Sequence, residues 1–300
     1  MKALVAYRGG DDGTESLSLA ATLRRTTGAE LTVAAVLPPV SDHPGIARVD
    51  LEYREWLDTV AEEARGRAAS MLSPEDPAAL SFLRVESASV GSGLAHTAEA
   101  AGADLLVLGS ARAATKGAWL TGSVAQRLLH SSPVPLLLAP QGYTSGPDSR
   151  FARLTCAFAG TERSKEALHA SCALAARFDL DIRVATFVPR ADTMYPPEVG
   201  FDAEDMVAAQ AAEQAVGLHD EALAVAKEAG LSNVETIVAR GKGWDGALRG
   251  ITWAAGDVLV FGSSRLGQLA RVFLGSNASK ILRHTPVPAL VIPTGTTTWS

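Results

Sequence analysis

The feature that most constrains this 300-residue chain is a long internal repeat. Asp104–Pro140, DLLVLGSARAATKGAWLTGSVAQRLLHSSPVPLLLAP, returns as Asp257–Pro293, DVLVFGSSRLGQLARVFLGSNASKILRHTPVPALVIP, at a constant offset of 153 residues. Gly109/Gly262, Arg112/Arg265, Gly122/Gly275, Ser123/Ser276, Pro133/Pro286 and Pro135/Pro288 pair without a gap. Solenoid units recur every 20–50 residues or so, so a repeat this long is a duplicated domain. Each copy then tests the other, because a feature present in both is harder to dismiss as accident.

Each half alternates short apolar runs with helical stretches. Strands are expected at Ala3–Tyr7, Leu31–Leu37, Ser81–Val85, Asp104–Leu108 and Val134–Ala139, and again at Leu154–Phe158, Ile182–Val188, Val234–Val238, Val258–Phe261 and Val287–Ile292. Helices are expected between them, near Gly13–Thr27, Leu51–Leu72, Ser92–Ala101 and Gly122–Ser131, then Glu162–Phe178, Ala203–Ala229, Trp244–Ala254 and Ser276–Arg283. Leu168, Ser171, Cys172, Ala175 and Ala176 have the spacing of one inward helical face. Continuous apolar strands alternating with helices indicate an α/β fold, a parallel sheet covered on both faces. The expected organisation is one domain over 1–140, a polar, turn-rich linker over 141–150, a second domain over 151–293 and a tail over 294–300. Pro38–Asp50 and Pro189–Asp202 read as equivalent loops after the second strand of each half.

With 47% hydrophobic and 20% charged residues the chain can bury two cores. A net charge of −6 argues against nucleic acid, whose phosphates demand a concentrated basic surface. No apolar run approaches the ~20 residues that span a bilayer, and MKALVAYRGG reads as a first strand rather than a leader, so a cytoplasmic location is expected. Cys156 and Cys172 fall on an apolar strand and an apolar helix face, as buried thiols do.

The segment after the fourth strand carries the candidate chemistry. In each half a strand ends in Gly-Ser, a loop of about a dozen residues follows, and a second Gly-Ser opens a helix: Gly109-Ser110 with Gly122-Ser123, and Gly262-Ser263 with Gly275-Ser276. A glycine lets the backbone approach a phosphate, and a first helical turn offers unpaired N–H groups with a favourable dipole. In an open parallel sheet such strand ends are where ligands bind. The competing reading is a strand-end glycine and a serine that only caps its helix.

DLLVLGS…TGSVAQRLLHSSPVPLLL resembles the closing segment of universal stress proteins, whose nucleotide-binding members carry G-x2-G-x9-G-[S/T]. Leu4–Ser16 and Leu154–Ser164 resemble that family's first strand and turn, so the paired resemblance covers nearly the whole chain. It implies two tandem Rossmann-like domains, each a doubly wound five-stranded parallel sheet of order 3-2-1-4-5. It also implies ATP, with Mg, as the ligand of binding members. Pairing between domains through the last strands, here Val134–Ala139 and Val287–Ile292, is implied as well. A tandem chain would form inside itself the dimer that single-domain members build from two chains, and an exposed apolar face would add a homodimer of tandems.

Two departures bear on function. Both halves have arginine at the motif's second glycine, so the motifs read Gly109-x2-Arg112-x9-Gly122-Ser123 and Gly262-x2-Arg265-x9-Gly275-Ser276. Each arginine either fills the pocket or pairs with phosphate. Where binding members carry an aspartate after the first strand, this chain has Arg8 and Ala159. With Arg8 as well as Arg112, the first half is expected to be the weaker ATP binder, or to take another acidic ligand. Asp11, Asp12 and Glu15 either replace the missing carboxylate or cap the next helix.

Gly91-Ser92-Gly93 and Gly241-Lys242-Gly243 read as turn glycines, with Lys242 within conceivable reach of a phosphate. His96 and Glu99 share a helix without partner ligands; His130, His169, His219 and His284 are scattered and suit surface or helix-end positions. Trp119, Trp244 and Trp253 read as packing anchors. No nucleophile has a base at a recognisable spacing, so an enzyme ranks last. First comes a stress-response regulatory protein that binds ATP or another adenine nucleotide; second, an interaction scaffold of the same fold that has lost the ligand and meets unknown protein partners.

Overall fold

The computed structural model describes residues 1–10, 13–39, 47–73, 75–76, 80–110, 122–190, 201–263 and 275–293, with backbone alone at 47–50, 201–209 and 211–212. The chain divides into two compact units, Met1–Arg150 and Phe151–Trp299. The first runs β1 (Lys2–Ala6), α1 (Thr14–Thr27), β2 (Glu30–Leu37), α2 (Ala47–Leu72), β3 (Ser81–Glu86), α3 (Val90–Ala100), β4 (Leu105–Leu108), α4 (Ser123–Ser131) and β5 (Leu136–Leu138). Its strands are all parallel in the order β3-β2-β1-β4-β5. The second runs β6 (Arg153–Ala157), α5 (Glu162–Phe178), β7 (Asp181–Arg190), α6 (Phe201–Glu228), β8 (Val234–Lys242), α7 (Gly243–Arg249), β9 (Asp257–Gly262), α8 (Ser276–His284) and β10 (Ala289–Ile292). Its parallel order is β8-β7-β6-β9-β10. Both are the expected 3-2-1-4-5 arrangement.

In each sheet the chain walks outward over three strands, then crosses back to the other side of the first. That reversal opens a crevice at the carboxyl ends of β1 and β4, and of β6 and β9. The central strands are apolar on both faces: Leu4, Val5, Val33, Leu106, Val107 and Leu136 are all at most 1% exposed. On α5 the inward face holds Leu168, Ser171, Cys172 and Ala175, while Ala176 is exposed because the face turns towards Ser164, Ala167 and Leu174.

Several boundaries differ from the sequence reading. β5 is only Leu136–Leu138 because Pro133 and Pro135 have no N–H to give the ladder. α7 stops at Arg249 rather than near Ala254: a side chain on Gly250 would stand 2.8 Å from the Arg240 carbonyl, and Trp253 turns back to donate Nε1–H to the Leu248 carbonyl at 2.9 Å. β7 extends through Pro189 and Arg190, pairing with Gly241 and Lys242, so neither Pro189 nor Gly241 belongs to a turn. Beyond Ala185, where its pairing with β6 ends, β7 has only β8 beside it, and an open edge tolerates proline. Gly241 is demanded by packing, since a Cβ there would lie 2.0 Å from the Gly246 carbonyl carbon. Gly91 and Gly93 are also packing residues, in the first turn of α3: a Cβ on Gly93 would meet Val36 Cγ1 at 3.0 Å and Ser87 Cβ at 2.9 Å.

Gln141–Arg150 is held against α1 rather than left loose. Glu15, itself buried, accepts from Gln141 Nε2 and the Gly142 N–H, both at 3.0 Å, and Tyr143 donates its hydroxyl to Thr22 at 3.2 Å. Glu15 thus serves the connecting segment. At the amino edge of the second sheet, Arg153 grips Asp257 in a bidentate pair at 2.9 Å. Arg183, 2% exposed, reaches the same carboxylate at 3.4 Å and donates to Thr155 and the Thr252 carbonyl, its guanidinium 5.1 Å from the centre of the Trp253 ring.

Candidate functional site

A cavity of about 560 Å³ opens at the β1/β4 reversal of the first domain. Ala34 and Val36 of β2 with Val90 and Leu94 of α3 give it an apolar side. Gly109 and Ser110 after β4, and Gly122, Ser123 and Val124 at the head of α4, form the opposite side. Tyr7, Arg8, Gly9, Gly10 and Gly13 close it from the loop after β1.

The described part of that loop is fixed by its own backbone and hydrogen bonds. It bends through Gly9 and Gly10 at φ 106° and 79°, a region side chains disfavour, while buried Tyr7 donates its hydroxyl to the Gly10 carbonyl at 2.6 Å. Ser16 then ties α1 to the strand, its hydroxyl within bonding distance of the Ala6 and Gly13 carbonyls at 2.9 and 2.7 Å. Arg8 is exposed at the lip.

Ser123 and Ser276 are not the caps of their helices. The capping residues are Gly122 and Gly275, extended at φ −74° and −68°, and neither offers a side-chain acceptor to the first turn. Elsewhere the chain does supply one: Ser89 caps α3 and Thr161 caps α5 through their hydroxyls. The first turn of α4 therefore faces the cavity with its N–H groups uncapped by a side chain, the polarity that favours an anion.

The second domain repeats the backbone with bulkier side chains at several of the described matching positions. Ala34 pairs with Ala6, and Ala185 with Ala157, so Phe187 stands where Val36 stands in the first domain. Phe187 packs against Trp244, in the first turn of α7, with ring centroids 6.5 Å apart. Leu218 of α6 presses on the loop after β6, where a Cβ on Gly160 would meet its Cδ2 at 2.5 Å; at the corresponding Gly9 the nearest atom would be the Ala64 Cβ at 3.3 Å, with the Val60 carbonyl at 3.5 Å. Ser263 is fully buried and its N–H extends the ladder to the Ile292 carbonyl at 2.8 Å, whereas Ser110 is half-buried on the cavity wall.

Gly109, Ser110, Gly122 and Ser123 are thus brought together around one cavity. Gly262 ends β9 with Ser263 directly after it, and Gly275 and Ser276 open α8, at the matching backbone positions. Arg112, Arg265, Asp11, Asp12 and Trp119 lie outside the described residues. Lys242 ends β8 as the exposed residue before α7. Sequence reasoning missed the apolar wall and the residues that fill its counterpart; aligning the second strands at an offset of 151 residues sets Val36 against Phe187 and would have shown both.

Among the described residues no group of three or more His, Cys, Asp or Glu is gathered as a metal would require. Burial pushes the Cys156 thiol up to about 12 and that of Cys172 to about 11, so both stay protonated and inert. His219 is not at a surface or helix end: it is buried within α6, with Nε2 3.2 Å from the Thr186 hydroxyl, and burial lowers its pKa against the pull of Asp220. Trp253 is the packing anchor described above. No described helix is long and apolar enough to cross a membrane.

A sequence profile of the universal stress protein family matches residues 1–140 and again 150–293. Universal stress protein Rv2319c of Mycobacterium tuberculosis is 38% identical over 296 residues, covering 98% of this chain and all of the relative. A universal stress protein of Mycobacterium bovis matches to the same extent. Among solved structures, a universal stress protein from Archaeoglobus fulgidus superposes with a TM-score of 0.62 at 16% identity, covering 98% of each chain. A putative universal stress protein from Pseudomonas aeruginosa gives 0.56 at 17% identity, over 97% of this chain and 93% of its own; at such identities the likeness speaks for the fold. The full-length kinship and the doubled profile, on a fold of the expected strand order, place this chain in the universal stress protein family, as a member with two of its domains in tandem.

Proposed function

We propose that the protein is a stress-response regulator that binds one adenine nucleotide per chain, in the cavity of the first domain. The observation that carries this reading is the cavity's place and make-up. It lies at the topological switch point, and its volume falls within the ~300–1,000 Å³ typical of small-molecule sites. The wall of Ala34, Val36, Val90 and Leu94 suits a base. The uncapped turn of α4, with Ser110 and Ser123, suits phosphate.

The sequence alone points to the first half as the weaker binder. The packing favours the reverse, because the second domain sets the aromatic pair of Phe187 and Trp244 at the position that Val36 holds on the apolar side of the first-domain cavity. The second domain on this reading is the ligand-free scaffold half. Binding without turnover is favoured because the described cavity lining holds no carboxylate or imidazole to serve as a base. Magnesium, where ATP brings it, would be carried by the phosphates.

The test is calorimetric titration of the full chain with Mg-ATP, after checking the denatured supernatant for carried nucleotide. One site per chain is expected. Val90→Trp, which transplants the bulk of Trp244 to the half-buried cavity lip, is expected to abolish binding at an unchanged thermal midpoint. Two sites per chain would refute the ligand-free second domain, and a single site that survives Val90→Trp would refute the assignment to the first domain. Silence in both assays would refute nucleotide binding and favour the interaction scaffold.

A further inference from the structure

The first-domain cavity carries a charge in a place where an ordinary nucleotide has no use for it. Its lining follows the order of the sheet. Ala34 and Val36 of β2, with Val90 and Leu94 of α3, come first; Tyr7 and Arg8 follow β1; Gly109 and Ser110 follow β4; Gly122 and Ser123 open α4. Neighbouring strands lie about 4.8 Å apart, so the apolar end and the helix-start end are separated by the β1 position. Arg8 stands at that midpoint, one residue beyond buried Tyr7 and exposed at the lip.

With a base against β2 and α3 and a phosphate at α4, the sugar lies beside Arg8. A bare ribose presents hydroxyl groups that look for an acceptor. In dinucleotide folds an acidic residue meets them, and an arginine is used instead where the sugar carries a phosphate. A guanidinium has donors only, in a planar fork that matches phosphate oxygens. Arg8 is the single charged residue among the described lining of the cavity. Resting on the nucleotide reading above, we infer that this cavity selects nucleotides bearing a second phosphate on the ribose, at the 2′ or 3′ position. Arg8 binds that phosphate, and the head of α4 binds the one at the 5′ position.

The experiment compares adenosine 3′,5′-bisphosphate, adenosine 2′,5′-bisphosphate and ADP by calorimetry on the full chain, at about 0.15 M salt so that loose charge effects are screened. One of the two bisphosphates is expected to bind roughly tenfold or more tightly than ADP, the scale of a charge-assisted contact, and which one identifies the sugar position. Arg8→Gln is expected to bring that ligand level with ADP, and Arg8→Asp to invert the order. Arg8 is exposed, so both variants keep the wild-type thermal midpoint. ADP binding as tightly as both bisphosphates, or a preference that survives Arg8→Gln, overturns the inference and leaves the nucleotide reading standing. Failure of every nucleotide to bind overturns both.

Discussion

The paired glycines Gly109 and Gly262 look identical in the sequence, and alanine at each should separate what the fold needs from what a ligand needs. A Cβ on Gly262 would stand 2.5 Å from the Arg163 carbonyl oxygen and 3.2 Å from its carbon. That is roughly 0.8 Å inside an ordinary C···O approach of about 3.3 Å, and the obstacle is backbone in the first turn of α5, which cannot swing aside. Overpacking of this kind costs about 1–3 kcal/mol, while losing the glycine's freedom in the unfolded chain returns about 0.4–1 kcal/mol. Gly262→Ala should therefore destabilise by a net of about 1–2 kcal/mol. A Cβ on Gly109 would have its nearest neighbours at 3.5 Å, the Gly13 Cα, and 3.7 Å, the Ser16 nitrogen. These are ordinary contacts, so Gly109→Ala should keep the unfolded-state gain and stabilise by about 0.4–1 kcal/mol. Equilibrium urea unfolding of both variants, compared at unchanged m, reads the difference as opposite shifts in midpoint. Shifts of the same sign and size, or a Gly262→Ala protein at wild-type stability, would refute the reasoning. If the prediction holds, any loss of nucleotide binding in the stable Gly109→Ala protein is an effect on the site and not on the fold.

Asp257→Ala should be severe, about 3 kcal/mol, because it strands the guanidinium of Arg183, 2% exposed, with only Glu235, at 3.8 Å, as an opposite charge among the described residues. Urea unfolding measures it, and a loss below about 1 kcal/mol would show that Arg183 finds water or another partner. His219 should make the second domain acid-sensitive. Its folded pKa lies below the ordinary 6.5, so the unfolded chain protonates first as pH falls. The stability it protects is complete above 6.5 and is lost as pH drops from there towards the folded value. The thermal midpoint should thus fall more in wild type than in His219→Gln between about pH 7 and 5.5; parallel curves would exclude the assignment.

The α/β class and the two domains were legible because they rest on features that survive averaging, namely apolar runs, helical periodicity and a gapless repeat, while the strand order came only with the family resemblance. The cavity was not, because its character depends on which side chains share a height above the sheet. Val36 and Phe187 are both ordinary strand residues by sequence; only the register that pairs Ala34 with Ala6 and Ala185 with Ala157 makes them counterparts. The short glycine motifs misled for a related reason. Gly93 and Gly241 are where an element meets a neighbour at contact distance, a tertiary constraint that a turn-like dipeptide does not reveal. Glu15 sits in the first turn of α1, as the helix-start reading has it, but it is buried and its partners Gln141 and Gly142 are 126 and 127 residues away, which no local reading anticipates.

Duplication would let one copy be filled while the other stays open, as the proposed function requires. A vacant apolar cavity forgoes contacts, at a cost that grows with its volume, so a binding site persists only while a ligand maintains it. A copy released from that duty gains stability from each larger residue that fits. The second domain has such residues at corresponding places: Phe187 for Val36, Leu218 over Gly160 where Ala64 meets Gly9, and Trp244 in the first turn of its third helix. It also carries the Arg153–Asp257–Arg183 cluster, where in the first domain the Asp104 carboxylate accepts from the backbone N–H of Lys2 at 2.7 Å. Under the proposed division of labour, these differences all run in one direction. Under that proposal, nucleotide would enter the second domain only if Phe187 and Trp244 moved aside. The double variant Phe187→Val with Trp244→Val would then gain a site that the wild-type domain lacks, at the expense of its own stability.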